Sequence, residues 1–264
     1  MALLSVMSAA LVAGMLAPLA RAGCSSGVWA DDYSPERCRI ADGAAVVSCN
    51  GKRGPLCGMR MSSHKKVGFG VHSMTIKAAP GAGVATTFYL STNGGLYDKM
   101  KRNPWVELDW EILGLQAGPR TRIWTNLFTG IAQEHNQMIT VPFDVSAAYH
   151  TYTFRISESS IVWEVDGAAY RSIDIRPYPD VVGAARDNRF QLFASVWGRS
   201  SHEPGEGIPA FRNALGLLDY NRNPFPLYAG IRRPDGRRLE VEMLPGDADN
   251  RTLVVQEQME GIWI

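Results

Sequence analysis

The sequence predicts an all-β protein built as an antiparallel sandwich or barrel. Short runs rich in β-branched and aromatic residues recur along the chain, separated by Gly, Pro, Asn and Asp, which is typical of strands and turns in such folds. Long helical periodicity is absent beyond the first 22 residues. The pair Asp166-Gly167 lies between two of the runs, which indicates a tight hairpin.

The predicted strands follow one another in order along the chain. They cover residues 44–48, 70–76, 83–90, 106–113, 123–128, 150–156, 161–165, 168–173 and 189–195. Loops that contain Pro are expected at 79–80, 103–104 and 176–179. The pattern changes at about Asp235, and strands at 238–244 and 251–256 have no evident partner. We therefore predict a signal peptide at 1–22, a β-sandwich at 23–232 and a C-terminal extension of unknown role at 233–264.

The first 22 residues predict a cleaved secretory signal. The segment has no charged residue before Arg21, is rich in Leu, Ala, Val and Met, and ends in the small-x-small sequence Ala20-Arg21-Ala22. It lacks the usual basic start, and its apolar run approaches the shortest length that spans a bilayer, so a membrane anchor is the alternative. Export predicts a secreted, extracellular or periplasmic protein that leaves the membrane after cleavage.

The four cysteines, Cys24, Cys38, Cys49 and Cys57, all follow this segment closely. In an exported chain such a cluster predicts two disulfides, for which three pairings remain open. A metal site is disfavoured because no C-x-x-C pair occurs and His64 is the one histidine nearby.

Composition and motifs argue against several functional classes. The formal net charge is +1, with basic and acidic residues interspersed, which disfavours nucleic acid as a partner. The five histidines have no zinc-site spacing, and no Gly-rich phosphate loop follows a strand. We expect no cofactor and no metal in the site.

The segment from Trp105 to Gly114 contains the candidate catalytic residues. Alternate side chains of a strand share a face, so Glu107, Asp109 and Glu111 point the same way. The opposite face is apolar and is expected to be buried: Val106, Leu108, Trp110 and Ile112. The acidic residues must then line a surface that solvent can reach.

Three like charges in a row repel one another and should push their pKa values apart. Retaining glycoside hydrolysis needs such a split, with one carboxylate as nucleophile and another holding a proton. The Cα atoms of Glu107 and Glu111 are roughly 13 Å apart on an extended strand, whereas a retaining pair needs carboxyl groups about 5–5.5 Å apart. This chemistry predicts a curved sheet with a cleft on its acidic face. The alternative is an exposed strand whose charges serve solubility.

Aromatic residues elsewhere favour a sugar ligand. Trp105, Trp124 and Trp197 lie in strand-like segments, and exposed indole faces are common platforms for sugar rings. Each could instead belong to the core, as we expect for Trp110.

Several motifs resemble those of glycoside hydrolase family 16, the lichenase and xyloglucan-transferase group. Glu107-Leu108-Asp109-Trp110-Glu111 is similar to its E-x-D-x-E signature. Similar segments are Gly68-Phe69-Gly70-Val71-His72 through Lys77-Ala78-Ala79-Pro80-Gly81, Phe88-Tyr89-Leu90, Tyr149-His150-Thr151-Tyr152, Val162-Trp163-Glu164-Val165-Asp166-Gly167 and Val196-Trp197-Gly198. The resemblance covers roughly residues 45–231, and it implies a concanavalin-like jelly roll of two antiparallel sheets with a concave cleft.

The resemblance also implies roles. Glu107 would be the nucleophile, Glu111 the general acid/base and Asp109 their assistant. Arg60, Tyr89 and Asn126 would join the tryptophans in binding substrate. A disulfide between Cys38 and Cys57 would leave Cys24 to pair with Cys49. The family often carries a structural calcium ion on its convex face, although no ligand cluster in the sequence requires one.

Three functions follow, in order of preference. The first is a secreted, monomeric endo-β-glucanase that hydrolyses internal bonds of mixed-linkage or related cell-wall β-glucan. The single residue between Asp109 and Glu111 favours β-1,4-containing glucans, since the laminarinase, agarase and carrageenase branch usually inserts another. The sequence departs from the family pattern at two places. Val106 replaces an acidic residue that is common just before the nucleophile, and residues 115–117 lack the glycosylation sequon that the plant transferases usually carry just past the signature. The second function is a transglycosylase that re-joins β-glucan or xyloglucan, and the third is a non-catalytic glycan-binding jelly roll.

Overall fold

The computed structural model describes residues 29–33, 38–41, 44–49, 57–92, 105–129, 135–198, 227–232, 242–243 and 253–254. Within these ranges the chain forms two seven-stranded antiparallel sheets that share one apolar core. The predicted all-β sandwich is therefore confirmed.

The described strands, in chain order, are β1 Trp29–Tyr33, β2 Cys38–Ala41, β3 Ala44–Cys49, β4 Cys57–Val67, β5 Gly70–Lys77, β6 Val84–Ser91, β7 Val106–Leu113, β8 Thr121–Thr129, β9 Gln137–Val141, β10 His150–Ile156, β11 Ser160–Val165, β12 Ala168–Asp174, β13 Phe190–Gly198, β14 Leu227–Arg232, β15 Glu242–Met243 and β16 Leu253–Val254. A short 3-10 helix at Gly114–Gln116 follows β7, and the helix α1 spans Pro179–Arg186.

Sheet 1 has the strand order β1-β4-β13-β6-β7-β8-β9, and sheet 2 the order β12-β11-β10-β5-β14-β3-β2. Consecutive strands repeatedly change sheets, as β5 to β6 and β9 to β10 do, so the two sheets are linked at several points. The acidic strand β7 lies inside sheet 1, between β6 and β8. Its position is fixed by hydrogen-bonded neighbours on both sides.

The core contains the inward-facing residues of both sheets. The apolar face of β7 is fully buried in it, as predicted: Val106, Leu108, Trp110 and Ile112. The Trp110 ring packs edge-on against Tyr152 of sheet 2, with centroids 5.4 Å apart, and lies 6.1 Å from Phe154. Burial of this face therefore decides which side of β7 its carboxylates occupy.

Several described elements were not predicted: the strands β1, β2, β4, β9 and β14, the 3-10 helix and α1. Helix α1 begins inside a segment expected to be a loop, and it buries Val181, Ala184 and Ala185 against the sandwich. Its eight residues are too few for a clear helical period. Strand β4 is longer than any predicted strand, and its run Ser62-Ser63-His64-Lys65-Lys66 conceals it because polar residues disfavour a strand assignment.

The remaining predictions concern the chain ends. In the C-terminal extension, β15 and β16 are two residues each and pair with one another, shorter than the strands expected there. The signal segment at 1–22 and Cys24 lie outside the described residues, so the predicted domain bounds stay predictions. In the described part of the chain, no helix has the length and apolar character needed to span a bilayer.

Cys38 is buried and forms a disulfide. The predicted pairing stays a prediction because the side chains of Cys24, Cys49 and Cys57 are not among those described.

Candidate active site

The register of sheet 1 surrounds the three carboxylates with residues from both neighbouring strands. Directly paired residues of an antiparallel ladder share a face. On the β6 side Ser91, Tyr89 and Thr87 pair with Glu107, Asp109 and Glu111, and on the β8 side Phe128, Asn126 and Trp124 do so, each set in that order. We call the face that these residues share the acidic face.

Burial along β7 follows the predicted alternation except at Asp109, which was expected to line a solvent-reachable surface and is buried. Glu107 and Glu111 are half-buried, and Asp109 between them is only 5% exposed. The two glutamates are therefore within reach of solvent, while the aspartate lies beneath the surface between them. Glu107 and Glu111 are therefore placed to react with a bound substrate, and Asp109 is placed to influence their protonation.

Glu107 has a dense set of hydrogen-bond partners. The indole Nε1–H of Trp105 lies 3.3 Å from Oε2 of Glu107, and Ser91 and Asp109 also hydrogen-bond its carboxyl group. Trp105 is 8% exposed, and its ring packs on Phe128 with centroids 4.2 Å apart. The donor is therefore held in place by an aromatic contact.

Burial raises the pKa of Glu107 to about 7, even though the hydrogen bonds from Ser91, Trp105 and Asp109 and the positive charge of Arg60 act to lower it. Desolvation exceeds these effects because a carboxylate loses most of its hydration in this position. A hydrogen bond joins Glu107 and Asp109, so the two carboxyl groups gain and lose protons as a coupled pair. The raised pKa therefore falls on the residue that the resemblance implies to be the nucleophile, and the predicted splitting of pKa values among the three carboxylates stays a prediction.

Arg60, Tyr89 and Phe193 form a group beside this pair on the acidic face. The Arg60 guanidinium lies 5.1 Å from the centre of the Phe193 ring and donates to the Tyr89 hydroxyl at 3.4 Å. The rings of Tyr89 and Phe193 stack with centroids 4.8 Å apart. The two predicted substrate-binding residues Arg60 and Tyr89 are thereby brought together.

The end of the acidic face near Glu111 is apolar. Trp124, which pairs with Glu111, is 6% exposed and packs in a small cluster with Ala85 and Leu113. Met138 and the half-buried Trp197 complete the cluster. Of the three predicted sugar platforms, Trp124 and Trp197 thus lie at one end of the face and Trp105 at the other. Trp105 and Trp124 are buried, so Trp197 is the one of the three whose indole is partly open to solvent.

Asn126 lies at the centre of the site. It pairs with Asp109, is 2% exposed, and accepts a hydrogen bond from the backbone N–H of Leu127 at 2.9 Å. Its place beside the carboxylates agrees with the position that the resemblance implies, while its contact with substrate stays a prediction.

Sequence reasoning missed several residues of the acidic face: Thr87, Ser91, Phe128, Phe193 and Ser195. Thr87 pairs with Glu111, and its hydroxyl oxygen lies 2.6 Å from that of Ser195 on β13, the next strand beyond β6. The sheet face on which each of these residues lies follows from the alternation of side chains in its own strand. The strand pairings that place the residues near β7 cannot be predicted from the sequence. In the described ranges, no group of three or more His, Cys, Asp or Glu side chains is placed to hold a metal ion. The structural calcium that the resemblance allows stays a prediction, because backbone carbonyls also bind calcium.

A β-sandwich that presents carboxylates on a partly open sheet face, between aromatic side chains, has the groups that a glycosidase needs. The family model described as glycosyl hydrolases family 16 matches residues 33–210. The chain belongs to this family.

Curated relatives carry names of both hydrolases and transferases. Crh-like protein 5 of Aspergillus fumigatus is 28% identical over 162 residues, which are 61% of this chain and 37% of that protein. Probable xyloglucan endotransglucosylase/hydrolase protein 12 of Arabidopsis thaliana is 28% identical over 181 residues, 66% of this chain and 60% of that protein. Beta-glucanase of Bacillus subtilis is 33% identical over 100 residues, 38% of each chain. The matches thus span less than two thirds of these relatives.

Solved structures share the fold. The Bacillus licheniformis beta-glucanase has a TM-score of 0.60 at 21% identity, covering 80% of this chain and 92% of that chain. The apo Crh5 transglycosylase has a TM-score of 0.58 at 19% identity, covering 80% and 79%. At this identity the likeness establishes the jelly roll and leaves the reaction open.

Proposed function

We propose that this protein is a secreted retaining enzyme that hydrolyses internal β-glucosidic bonds of a mixed-linkage or related β-glucan. The observation that carries the proposal is the placement of Glu107, Asp109 and Glu111 on one partly open face, with Asp109 hydrogen-bonded to Glu107. An acidic strand kept only for solubility would not need a buried aspartate between two carboxylates. Secretion is supported by the character of residues 1–22 alone.

In the first step Glu111 donates a proton to the glycosidic oxygen, and a carboxylate oxygen of Glu107 attacks the anomeric carbon. The bond to the leaving chain breaks and a glycosyl ester forms. Glu107 must be ionised to attack, yet burial raises its pKa to about 7. The proton held between the pair must therefore lie on Asp109 at that moment, which their hydrogen bond allows.

In the second step Glu111, now a carboxylate, takes a proton from water. The resulting hydroxide equivalent attacks the anomeric carbon and breaks the ester, which restores Glu107. Two inversions give net retention. The partly exposed position of Glu111 supports its exchange of protons with the leaving chain and with water.

A transglycosylase is the second candidate, and the apolar cluster near Glu111 favours it. The leaving chain departs beside the acid/base, and the sugar acceptor of a transferase occupies the same side. Trp124 and Trp197 lie at this end of the face. A sugar ring packed on an indole there would compete with water for the intermediate.

Product analysis tests both candidates. Purified protein is incubated with barley mixed-linkage glucan and with xyloglucan, with and without a labelled oligosaccharide acceptor, and the products are measured by mass spectrometry. Short unlabelled products establish hydrolysis, and longer labelled chains establish transfer. The Glu107→Ala variant should yield neither, while the matched control Glu164→Ala, whose side chain is paired with Arg155 on sheet 2, should behave as wild type.

Absence of product from both polymers, with binding retained, would contradict catalysis on β-glucans. The protein would then be a glycan-binding jelly roll or an enzyme for another polysaccharide.

A further inference from the structure

Arg171 is a charged residue buried between the two sheets. It lies on β12 and is 7% exposed, and its guanidinium carbon lies 4.5 Å from the centre of the Trp163 ring. Its Nη1 donates to Oγ1 of Thr125 at 2.8 Å, and its Nη2 donates to the backbone carbonyl of His135 at 2.6 Å. Arg171 therefore connects the edge of sheet 2 to the inner side of sheet 1.

Trp163 connects Arg171 to the acidic strand β7. Its indole Nε1–H donates to the backbone carbonyl of Asp109 at 3.1 Å, across the sandwich. The Arg171 guanidinium packs on the ring of that same indole. The backbone of the central carboxylate is thus held from the core side by a side chain that Arg171 supports.

The second connection reaches the strand next to the carboxylates. Thr125 lies on β8 and pairs with Trp110, one residue before Asn126. The carbonyl of His135 also accepts the backbone N–H of Leu127, which follows Asn126. Arg171 thereby braces β8 on both sides of the residue that pairs with Asp109.

Packing alone does not explain why a charged arginine side chain is buried between the two sheets. A buried guanidinium loses hydration, and an apolar side chain of similar size would often be as stable. The Nε of Arg171 has no hydrogen-bond partner, and burial lowers the pKa of Arg171 to about 10. The attraction of Asp109 acts in the opposite direction and raises it. The favourable charge interaction thus links Arg171 to the acidic face.

We propose that Arg171 is a positioning residue for the three carboxylates of β7, which fixes the Asp109 backbone through Trp163 and holds β8 in place through Thr125 and the backbone carbonyl of His135. This inference rests on the proposed function for its kinetic consequence. Other titratable or charged groups on the same face as Asp109 are Glu107 and Glu111 on β7, Tyr89 on the adjacent strand β6, and Arg60 on β4, which β13 separates from β6. Arg60 favours charge on Glu107 from the acidic face, so the two arginines act on the shared proton from opposite sides.

The test compares Arg171→Met and Arg171→Lys with a control, Arg155→Met. Arg155 is exposed on the outer face of sheet 2 and pairs with Glu164. Each protein is assayed for kcat, KM and the pH profile of kcat/KM on a β-glucan that the wild type cleaves. The carboxyl pKa of Asp109 is followed separately by 13C NMR titration, which needs no activity.

For Arg171→Met we expect kcat to fall about tenfold or more with little change in KM, because misplacement of a reacting group affects the transition state most. The Asp109 pKa should rise when the positive charge is lost, and because Asp109 must hold the proton while Glu107 attacks, the alkaline limb of the pH profile should move to higher pH.

Arg171→Lys should keep the Asp109 pKa closer to that of the wild type, because the positive charge remains. Its kcat should stay low, because an ammonium group is not planar and cannot make the same contacts with Thr125, His135 and the Trp163 ring. If Arg171→Met does not fold, Trp163→Phe, which removes the donor to Asp109, should give the same fall in kcat.

An Asp109 pKa and a kcat equal to those of Arg155→Met would overturn the proposal. Should the wild type cleave no β-glucan, the proposed function fails on its own. The NMR titration then still decides whether Arg171 acts on Asp109.

Discussion

The indole Nε1 of Trp105 lies 3.3 Å from Oε2 of Glu107 and 3.3 Å from Oγ of Ser91. One N–H thus serves two acceptors that also hydrogen-bond each other. Contact with Phe128 keeps the ring in position, so the donor stays aimed at the carboxylate. The charge of Glu107 therefore depends on a side chain outside the acidic strand.

Trp105→Phe should raise the pKa of Glu107, because the indole hydrogen bond lowers it. The ring contact with Phe128 is kept and only the donor is lost. We expect the acid limb of kcat/KM to shift to higher pH, and kcat to fall about tenfold at neutral pH. A pH profile measured beside wild type checks this. Ser91→Ala should shift the limb in the same direction, and a limb that moves in neither variant would contradict the role of these donors.

Glu107→Gln should stabilise the protein at neutral and alkaline pH. The pKa of Glu107 is about 7 in the folded protein, against 4.5 as its ordinary value. Between these values the unfolded chain releases the proton while the folded protein keeps it, so rising pH costs the wild type stability. The variant should be more stable above pH 7 by roughly 1–3 kcal/mol, with no such gain below pH 4.5.

Urea unfolding at pH 4, 6 and 8 measures this difference. The control Glu164→Gln, at a glutamate paired with Arg155, should not gain stability with rising pH. A difference between Glu107→Gln and wild type that is constant with pH would show that the carboxyl group is not destabilised by burial.

Azide distinguishes the roles of the two glutamates. The substrate is an aryl β-glycoside whose leaving group departs without protonation. In Glu107→Ala, azide takes the place of the nucleophile, forms the C–N bond as the phenolate leaves, and should give the α-glycosyl azide. In Glu111→Ala the glycosyl ester still forms, and azide attacks it to give the β-glycosyl azide. NMR of the products identifies the anomer, and exchanged outcomes would reverse the assigned roles.

Trp197→Ala should change the fate of the intermediate more than its formation. Trp197 is half-buried in the apolar cluster near Glu111, where an acceptor sugar would pack. If the protein is a transglycosylase, the ratio of transfer to hydrolysis should fall about tenfold at a fixed acceptor concentration, while consumption of donor changes less. Labelled-acceptor product ratios measure it. A fall in donor consumption with an unchanged ratio would place the side chain on the donor side.

Gly114→Ala should destabilise the fold. A Cβ at this position would lie 2.5 Å from the carbonyl oxygen of Gly81 and 2.7 Å from that of Ala79, and both are backbone atoms that cannot move aside cheaply. We expect a loss of about 1–3 kcal/mol in the free energy of unfolding. Gly183→Ala is the control, because its Cβ meets only the Arg189 side chain, at 3.5 Å, and Ala favours the helix. Urea unfolding should show opposite signs for the two.

The fold class and the division of β7 into an apolar and an acidic face could be predicted from the sequence alone. Alternation of apolar and acidic residues along β7 is a local property, since the period of a strand is set by its own backbone. The same pattern identified Trp110 as a core residue and the carboxylates as a shared face. The tight hairpin at Asp166-Gly167 follows from the same local rules, and Asp166 has the positive φ that such a turn needs.

The residues that surround the carboxylates could not be predicted, because they are brought together by strand pairing and sheet packing. Ser91 and Phe128 are placed beside Glu107 by the register of three strands, and Arg60 by two further pairings through β13 and β6. Register depends on burial and on hydrogen bonds between segments far apart in the chain, so a single sequence does not encode it in any local pattern. The raised pKa of Glu107 likewise arises from burial against these neighbours. Arg171 reads as an ordinary exposed residue of a hairpin strand until the two sheets are packed together.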